Sequence, residues 1–306
     1  MSVASVVVPC FNAEVTLEAT LASAFAQPLA HEIIAVDDGS TDQTPAILAR
    51  LAATEPRLKV IRQENAGVAT ARNTAIAAAR GDIIAFLDSD DIWHAGHLSA
   101  HVARLDDDRG LGISFSRARI VDEAGRQTGT TRPKLTGLAP PDFLSGNPCT
   151  TCSTLVVRRQ VFADVGVFDT RLRRNEDQNW LFRVAATTAW RIEGLDDVLV
   201  DYRTSASGLA SNINGLLSDF ELVLVEARRI APDVVERHEG TARARTHRYL
   251  ARHALRLGTD RQTARAHMRR ALSYAPSLLL SEPRSTITTL LAALIPSHPA
   301  IDRALR

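Results

Sequence analysis

The strongest constraint on this chain is an alternation that runs through residues 3–87. Short β-branched and apolar runs end in polar turns, and Ala-rich amphipathic segments follow. Residues 3–8 are almost continuously apolar, the mark of a strand buried on both faces. The spacing then predicts a helix over 14–26, with Val15, Leu17, Leu21, Ala24 and Phe25 facing inward. A strand over 32–36 follows, then a helix over 41–53 capped by Ser40, Thr41 or Asp42. A strand over 58–61, a helix over 67–79 and a strand over 82–87 complete the series. Strands alternating with helices of this length imply βαβ units and a mostly parallel sheet. Such sheets bind ligands beyond the carboxyl ends of their strands. The polar clusters at 9–14, 37–42 and 88–91 fall at those ends.

After about Gly110 the pattern changes. Strands are expected over 113–121, 154–157 and 198–202, and a helix over 175–187. Between them, residues 128–148 form a Pro- and Gly-rich loop with a short helix near Asp142. Long loops in compact domains are often functional. From about Leu216 the chain is Ala, Leu and Arg at helical spacing, divided by Pro232, Pro276, Pro283 and Pro296. Residues 260–274 resemble one helix of a tetratricopeptide pair, but one unit makes no array. The expected organisation is an α/β domain over 1–210 and a helical region over 211–306, which the length of 306 residues accommodates.

Charge and cysteines narrow the setting. With 36 Lys and Arg against 35 Asp and Glu, the net charge of +1 gives no push toward nucleic acid. No apolar run approaches the ~18 residues of a membrane span. The apolar start lacks a basic leader, so it reads as a first strand rather than a signal peptide. An odd, sparse count of 3 cysteines points to a reducing compartment, hence the cytosol.

Asp88, Asp90 and Asp91 follow the apolar run 83–87. In an extended segment residues i and i+2 point the same way, so Asp88 and Asp90 could face one ligand. Carboxylates suit Mg²⁺ or Mn²⁺, which one or two protein oxygens usually hold together with substrate phosphates. The triplet alone leaves metal binding and a polar turn with a helix cap both open.

Read together, VVVPCFNAE, VDDGSTD, NAGVATARNTAI, GDIIAFLDSDDIW and NEDQNWLFRVA, in this order, resemble the family 2 glycosyltransferases over about residues 1–205. The resemblance implies a GT-A fold, a nucleotide-binding α/β sandwich with an Asp-x-Asp motif and a mostly parallel central sheet. It implies inverting sugar transfer from a nucleotide-sugar donor, usually a UDP-sugar, with Mn²⁺ or Mg²⁺. The acceptor would be a carbohydrate or a lipid-linked sugar, in assembly of a cell-surface polysaccharide or glycolipid. By position, Pro9, Phe11 and Glu14 would line the nucleotide pocket, with Phe11 where many relatives have Tyr. Asp38 would accept from the base, Gly67, Arg72 and Asn73 would shape the flanking helix, and Arg72 would add charge beside the donor. Without the resemblance Arg72 reads as a surface arginine. Asp90 matches the metal ligand, Asp88 the ribose or metal-water contact, and Asp91 a helix cap or a third acid.

Asp177 matches the catalytic base, which takes the acceptor proton so that the oxygen attacks opposite the leaving diphosphate. Glu176 beside it raises one pKa by repulsion while a helix N-terminus lowers it; the sequence leaves that contest open. Glu176 and Trp180 are candidates for the acceptor side. Trp180 shares a helix face with Asp177, where it either stacks on a sugar ring or packs in the core.

Other signals are weaker. His94, His97 and His101 recur at helical spacing but show no fourth zinc ligand, so they read as a polar helix flank. Cys149 and Cys152 form a lone CxxC, read as small residues lining the acceptor side. The C-terminal arginines read first as a solvated face balanced by acids; the alternative is a basic surface on anionic lipid, giving peripheral contact with the inner face of the membrane. Two rival functions remain. A nucleotidyltransferase would want a Gly-rich, Lys- or Arg-bearing loop after the first strand, which 9–14 lacks. A non-catalytic nucleotide-sugar-binding module would have eroded its acids.

Overall fold

A computed structural model describes residues 2–204, 212–256 and 261–295. It divides into two compact units, one of residues 1–139 with 147–204 and one of residues 140–146 with 205–306. The expected boundary at residue 210, together with Asp260 and Pro296, lies outside the described residues.

In the first unit β1 (Ala4–Cys10) is buried along its whole length, as its apolar run requires. α1 (Leu17–Phe25) buries Leu17, Leu21 and Ala24. Val15 was expected inside; the helix starts after it, and it is 91% exposed. β2 (Ala30–Asp38), α2 (Thr44–Ala52), β3 (Leu58–Gln63), α3 (Val68–Ala78) and β4 (Ile83–Phe86) continue the βαβ series. Next come β5 (Ile92–Trp93), α4 (His97–Asp107), β6 (Leu111–Val121), β7 (Gln127–Thr130), β8 (Val156–Arg158), α5 (Arg159–Val165), α6 (Glu176–Thr187) and β9 (Arg191–Arg203).

These strands form one nine-stranded sheet in the order β3-β2-β1-β4-β8-β6-β9-β5, with β7 on β6. Pairing is parallel from β3 through β4 and again between β6 and β9. β8 enters antiparallel between β4 and β6, which carries the sheet past its parallel half. The architecture is the α/β sheet sandwich with a helical C-terminal region that the sequence implies. β1, β2 and β4 all run the same way, so Phe11, Asp38 and Asp88 emerge at one edge.

The second unit contains α7 (Ile213–Ile230), α8 (Pro232–Arg256), α9 (Arg261–Tyr274), α10 (Leu278–Ser281) and α11 (Pro283–Leu294). Residues 140–146, including a 3-10 turn over Pro140–Phe143 with Phe143 buried, belong to this unit. Its core is made of small residues, Ala251, Ala254, Ala264 and Ala293 around Met268. Several arginines are held by acids: Arg243 by Glu221 and Glu239, and Arg245 and Arg248 by Glu282.

Candidate active site

The turn after β4 is fixed from several directions. Asp91 N–H donates to Asp88 O at 3.1 Å, so the segment is a turn, and the extended i, i+2 argument for Asp88 and Asp90 does not apply. On one side Thr16, which precedes α1, and Thr20 within it donate to Ser89 O at 2.8 and 3.0 Å. On another, Ser153 Oγ accepts from Asp88 N–H at 2.9 Å, and Ser153 O accepts from the Trp93 indole at 2.8 Å. Asp91 is wholly buried and accepts the Arg203 N–H at the end of β9 at 2.8 Å. It therefore ties strand ends together and caps no helix, since α4 begins behind Gly96.

Arg72 is the hub. Its guanidinium is buried, against the surface reading, because acids converge on it. It donates to Asp88 Oδ1 at 2.6 Å and to Glu176 Oε1, and lies 5.8 Å from the Phe168 ring centre. Burial works against its charge, and Asp88 and Glu176 more than offset this. Asp88's other oxygen accepts from Thr151 at 3.2 Å.

Asp90 differs from its neighbours. Among the described residues its carboxylate makes no hydrogen bond or ion pair with another side chain; only its own N–H and the nearby Arg203 charge favour the ionised form. Burial first, and then the Asp88 charge, push it up to about 6. A surplus of negative charge on hard oxygen is what a divalent cation neutralises, so the chemistry of Asp90 fits such an ion, while among the described residues no three His, Cys, Asp or Glu side chains gather to hold one.

Glu176 and Asp177 open α6, behind Asn175 in the left-handed region (φ 58°). Burial pushes Glu176 up to about 7 against the pull of Arg72. Asp177 is raised as well, burial outweighing Arg72 and a hydrogen bond from Asn147. The contest left open by sequence thus goes to desolvation. Asn147 Nδ2 donates to Asp177 Oδ2 at 2.7 Å, and Asp177 Oδ1 accepts from Gln178 N–H at 2.7 Å. Asn147 is itself oriented, since its Oδ1 accepts from Cys149 N–H at 2.7 Å. The 147–150 turn holds Thr150 at φ 78°, strained for a β-branched residue. A carboxylate has about four lone-pair positions, so Asp177 keeps capacity for an incoming hydroxyl.

The remaining candidates divide. Pro9 is buried within β1, and Phe11 stands 50% exposed at its end. Glu14 accepts from Gln43 N–H at 2.8 Å and so supports the start of α2. Asp38 accepts from Gln63 at 2.7 Å, Ala66 N–H at 3.0 Å and Gly67 N–H at 2.8 Å. Gly67 sits at φ 92°, which a side chain would strain. Asn73 exchanges two hydrogen bonds with the Phe168 peptide, at 2.9 and 3.0 Å, so its amide positions the loop before α6 rather than a ligand. Trp180 is corrected: it is fully buried, stacked on Phe162 at 4.6 Å, and donates to Gly166 O, so no acceptor ring can reach it. Glu176 too is buried, facing Arg72 rather than an acceptor. Cys149 and Cys152 are buried free thiols, raised well above their usual range by burial, and line no open surface. His97 and His101 are buried beside Trp93 instead of forming a polar flank.

Residues 5–166 match the model of glycosyl transferase family 2. The chain belongs to this family. Among its relatives, the protein described as a teichuronic acid biosynthesis glycosyltransferase, TuaG of Bacillus subtilis (strain 168), is 31% identical over 211 residues, covering 68% of this chain and 81% of TuaG. The UDP-Glc:alpha-D-GlcNAc-diphosphoundecaprenol beta-1,3-glucosyltransferase WfgD of Escherichia coli is 41% identical over 103 residues, 33% of this chain and 40% of WfgD. In fold the chain resembles the mannosyltransferase PcManGT of Pyrobaculum calidifontis, solved with GDP-Man and Mn²⁺. The TM-score is 0.63 at 22% identity, over 99% of this chain and 86% of that one. Family 2 membership makes this protein a glycosyltransferase and sets aside nucleotidyl transfer.

Proposed function

We propose that this family 2 enzyme moves a hexosyl group from a UDP-sugar to an acceptor hydroxyl with inversion, using residues 1–210 for the chemistry. The observation that carries the reading is that Asp88, held by Arg72, is charge-coupled both to an oriented base and to an acid short of partners. Asp177 is raised by burial and held by Asn147, and Asp90 is left without a side-chain hydrogen-bond partner. Phe11 offers an exposed ring to the nucleobase, and Asp38 Oδ2 keeps a lone pair for the N3–H of uracil. Gly67 keeps the start of α3 open, and Arg72 holds Asp88 toward the donor.

Asp90 would hold Mn²⁺ or Mg²⁺, which when bound offsets the charge that grows on the leaving diphosphate. Asp177 Oδ2 takes the proton of the acceptor hydroxyl. The acceptor oxygen bonds to the anomeric carbon as the bond to the diphosphate breaks, and that electron pair leaves with the diphosphate. The acceptor is a carbohydrate or lipid-linked sugar of a cell-surface polysaccharide or glycolipid. WfgD, whose name specifies a UDP-sugar and a lipid diphosphate acceptor, supports this choice. The enzyme would work in the cytoplasm, with its C-terminal helices in peripheral contact with the membrane.

Calorimetric titration of UDP and GDP into the protein, with and without Mn²⁺, tests the donor reading. Micromolar UDP binding that needs the metal is expected. GDP binding in preference to UDP would reassign the base, and binding of neither would leave a non-catalytic module as the better reading.

A further inference from the structure

The last described helix is built inside out. α11 buries Thr286, Thr289, Ala292 and Ala293. Of its four large aliphatic side chains it packs only Leu290 against the core and exposes the other three, Ile287, Leu291 and Leu294, the last of them 53% exposed. They recur at i, i+4 and i+7, one stripe along a helix. Leu280, in the short α10 that leads into it, is 86% exposed. A helix that only faced water would show the reverse arrangement, and a contiguous exposed apolar stripe marks an interaction surface.

The charges around the stripe select its partner. α9 to α11 carry five arginines, Arg261, Arg265, Arg269, Arg270 and Arg284, and one acid between them, Glu282. That acid is already paired with Arg245 and Arg248 of α8. Two copies of this face would bring arginines against arginines, which disfavours self-association. An anionic bilayer complements both features, with aliphatic side chains entering the acyl boundary and the guanidinium groups of Arg269, Arg270 and Arg284 at the headgroups, while Arg261 and Arg265 donate to the carbonyls that end α11. With 12 residues α11 is ~18 Å long, well short of the ~30 Å hydrocarbon core. No helix among the described residues is long and apolar enough to cross a membrane.

We infer that the apolar ridge of α10 and α11 is the element that docks this enzyme on an anionic lipid surface, lying in the plane of the interface. The inference rests on the membrane contact proposed above and makes the apolar ridge, rather than the C-terminal arginines alone, its main agent.

Flotation of the full chain with phosphatidylglycerol/phosphatidylcholine vesicles tests it. The wild type should float with mixed vesicles and less with phosphatidylcholine alone. A Leu280→Glu/Leu291→Glu variant should lose at least tenfold in bound fraction with an unchanged circular-dichroism melt. Val225→Glu, at an equally open position on α7, should bind as the wild type does. If the double variant floats like the wild type, the ridge is not the docking element, although membrane contact survives. If the wild type does not float, both fail. Equal binding to phosphatidylcholine alone would overturn the anionic partner. A dimer in sedimentation velocity that the double variant dissolves would make the ridge a self-interface instead.

Discussion

Two acidic clusters stand at the carboxyl edge of the parallel strands, and they are built in opposite ways. At the end of β2, Asp38 receives three hydrogen bonds from its own surroundings, and Asp42 receives the N–H groups of Glu14 and Thr44. Beyond β4 the acids outnumber their donors. Asp88 and Glu176 share Arg72, Asp90 has no side-chain hydrogen-bond partner, and Asp91 keeps one oxygen unbonded. A carboxylate that receives local N–H groups shapes its loop first and keeps only a spare lone pair for a ligand. Carboxylates left short of donors hold unbalanced charge, which a ligand can complete.

The largest expected effect lies in the second cluster. Asp177→Asn keeps the shape and the donor site but removes the base, so kcat should fall roughly 10²- to 10⁴-fold, in the range of general-base contributions. Transfer at the native rate would show that the proton goes elsewhere. Next comes Arg72→Met, which leaves Asp88 and Glu176 facing each other without a cation. Removing one member of a buried ion pair typically costs about 3–5 kcal/mol, measurable by urea unfolding. A loss under 1 kcal/mol would mean that water already screens the cluster.

Asp90→Asn should weaken cation-dependent nucleotide binding at least about tenfold, the low end for disturbing a metal site. A pH signature accompanies it. The fold raises Asp90 to about 6 from an ordinary value of 3.8, so between those values the folded state binds a proton that the unfolded chain has released. Metal-free stability contributed by this group is therefore present below pH 4 and is lost as pH rises toward 6. Asp90→Asn should flatten that fall, and melts across pH 4–7 will read it. Asn147→Ala should have the smallest effect. It removes a donor that favours the Asp177 charge, so the acid limb of the kcat profile should move up by about one pH unit. An unmoved limb with lower kcat would make Asn147 a purely structural residue.

Much of the sheet was legible because burial on both faces writes apolar runs into β1, β2 and β4. The strands of the second half were less so: β9 runs over Arg191–Arg203, yet its alternating acids hid all but its end. β7 and α5 escaped because each is short and rests on its neighbours. In the site, motif order pointed to Asp88, Asp90 and Asp177. Burial of Arg72 was invisible, since a single sequence does not show that two distant acids converge on one arginine. Trp180 was ambiguous for a similar reason, as Phe162 and Phe168 close around it only after folding. Asn147 lay in a loop already marked as functional, but no spacing rule singled it out.

The bond between Asp91 and Arg203 bears on how the protein is born. Its two ends are 112 residues apart. During synthesis the amino-terminal strands leave the ribosome long before β9 exists. At about 5–20 residues per second the acidic turn waits roughly ten seconds for the residue that fixes it. The turn that carries Asp88 and Asp90 is thus among the last parts of its unit to take shape, and a nascent or truncated chain ending before β9 has the parallel strands but lacks the N–H that Asp91 accepts.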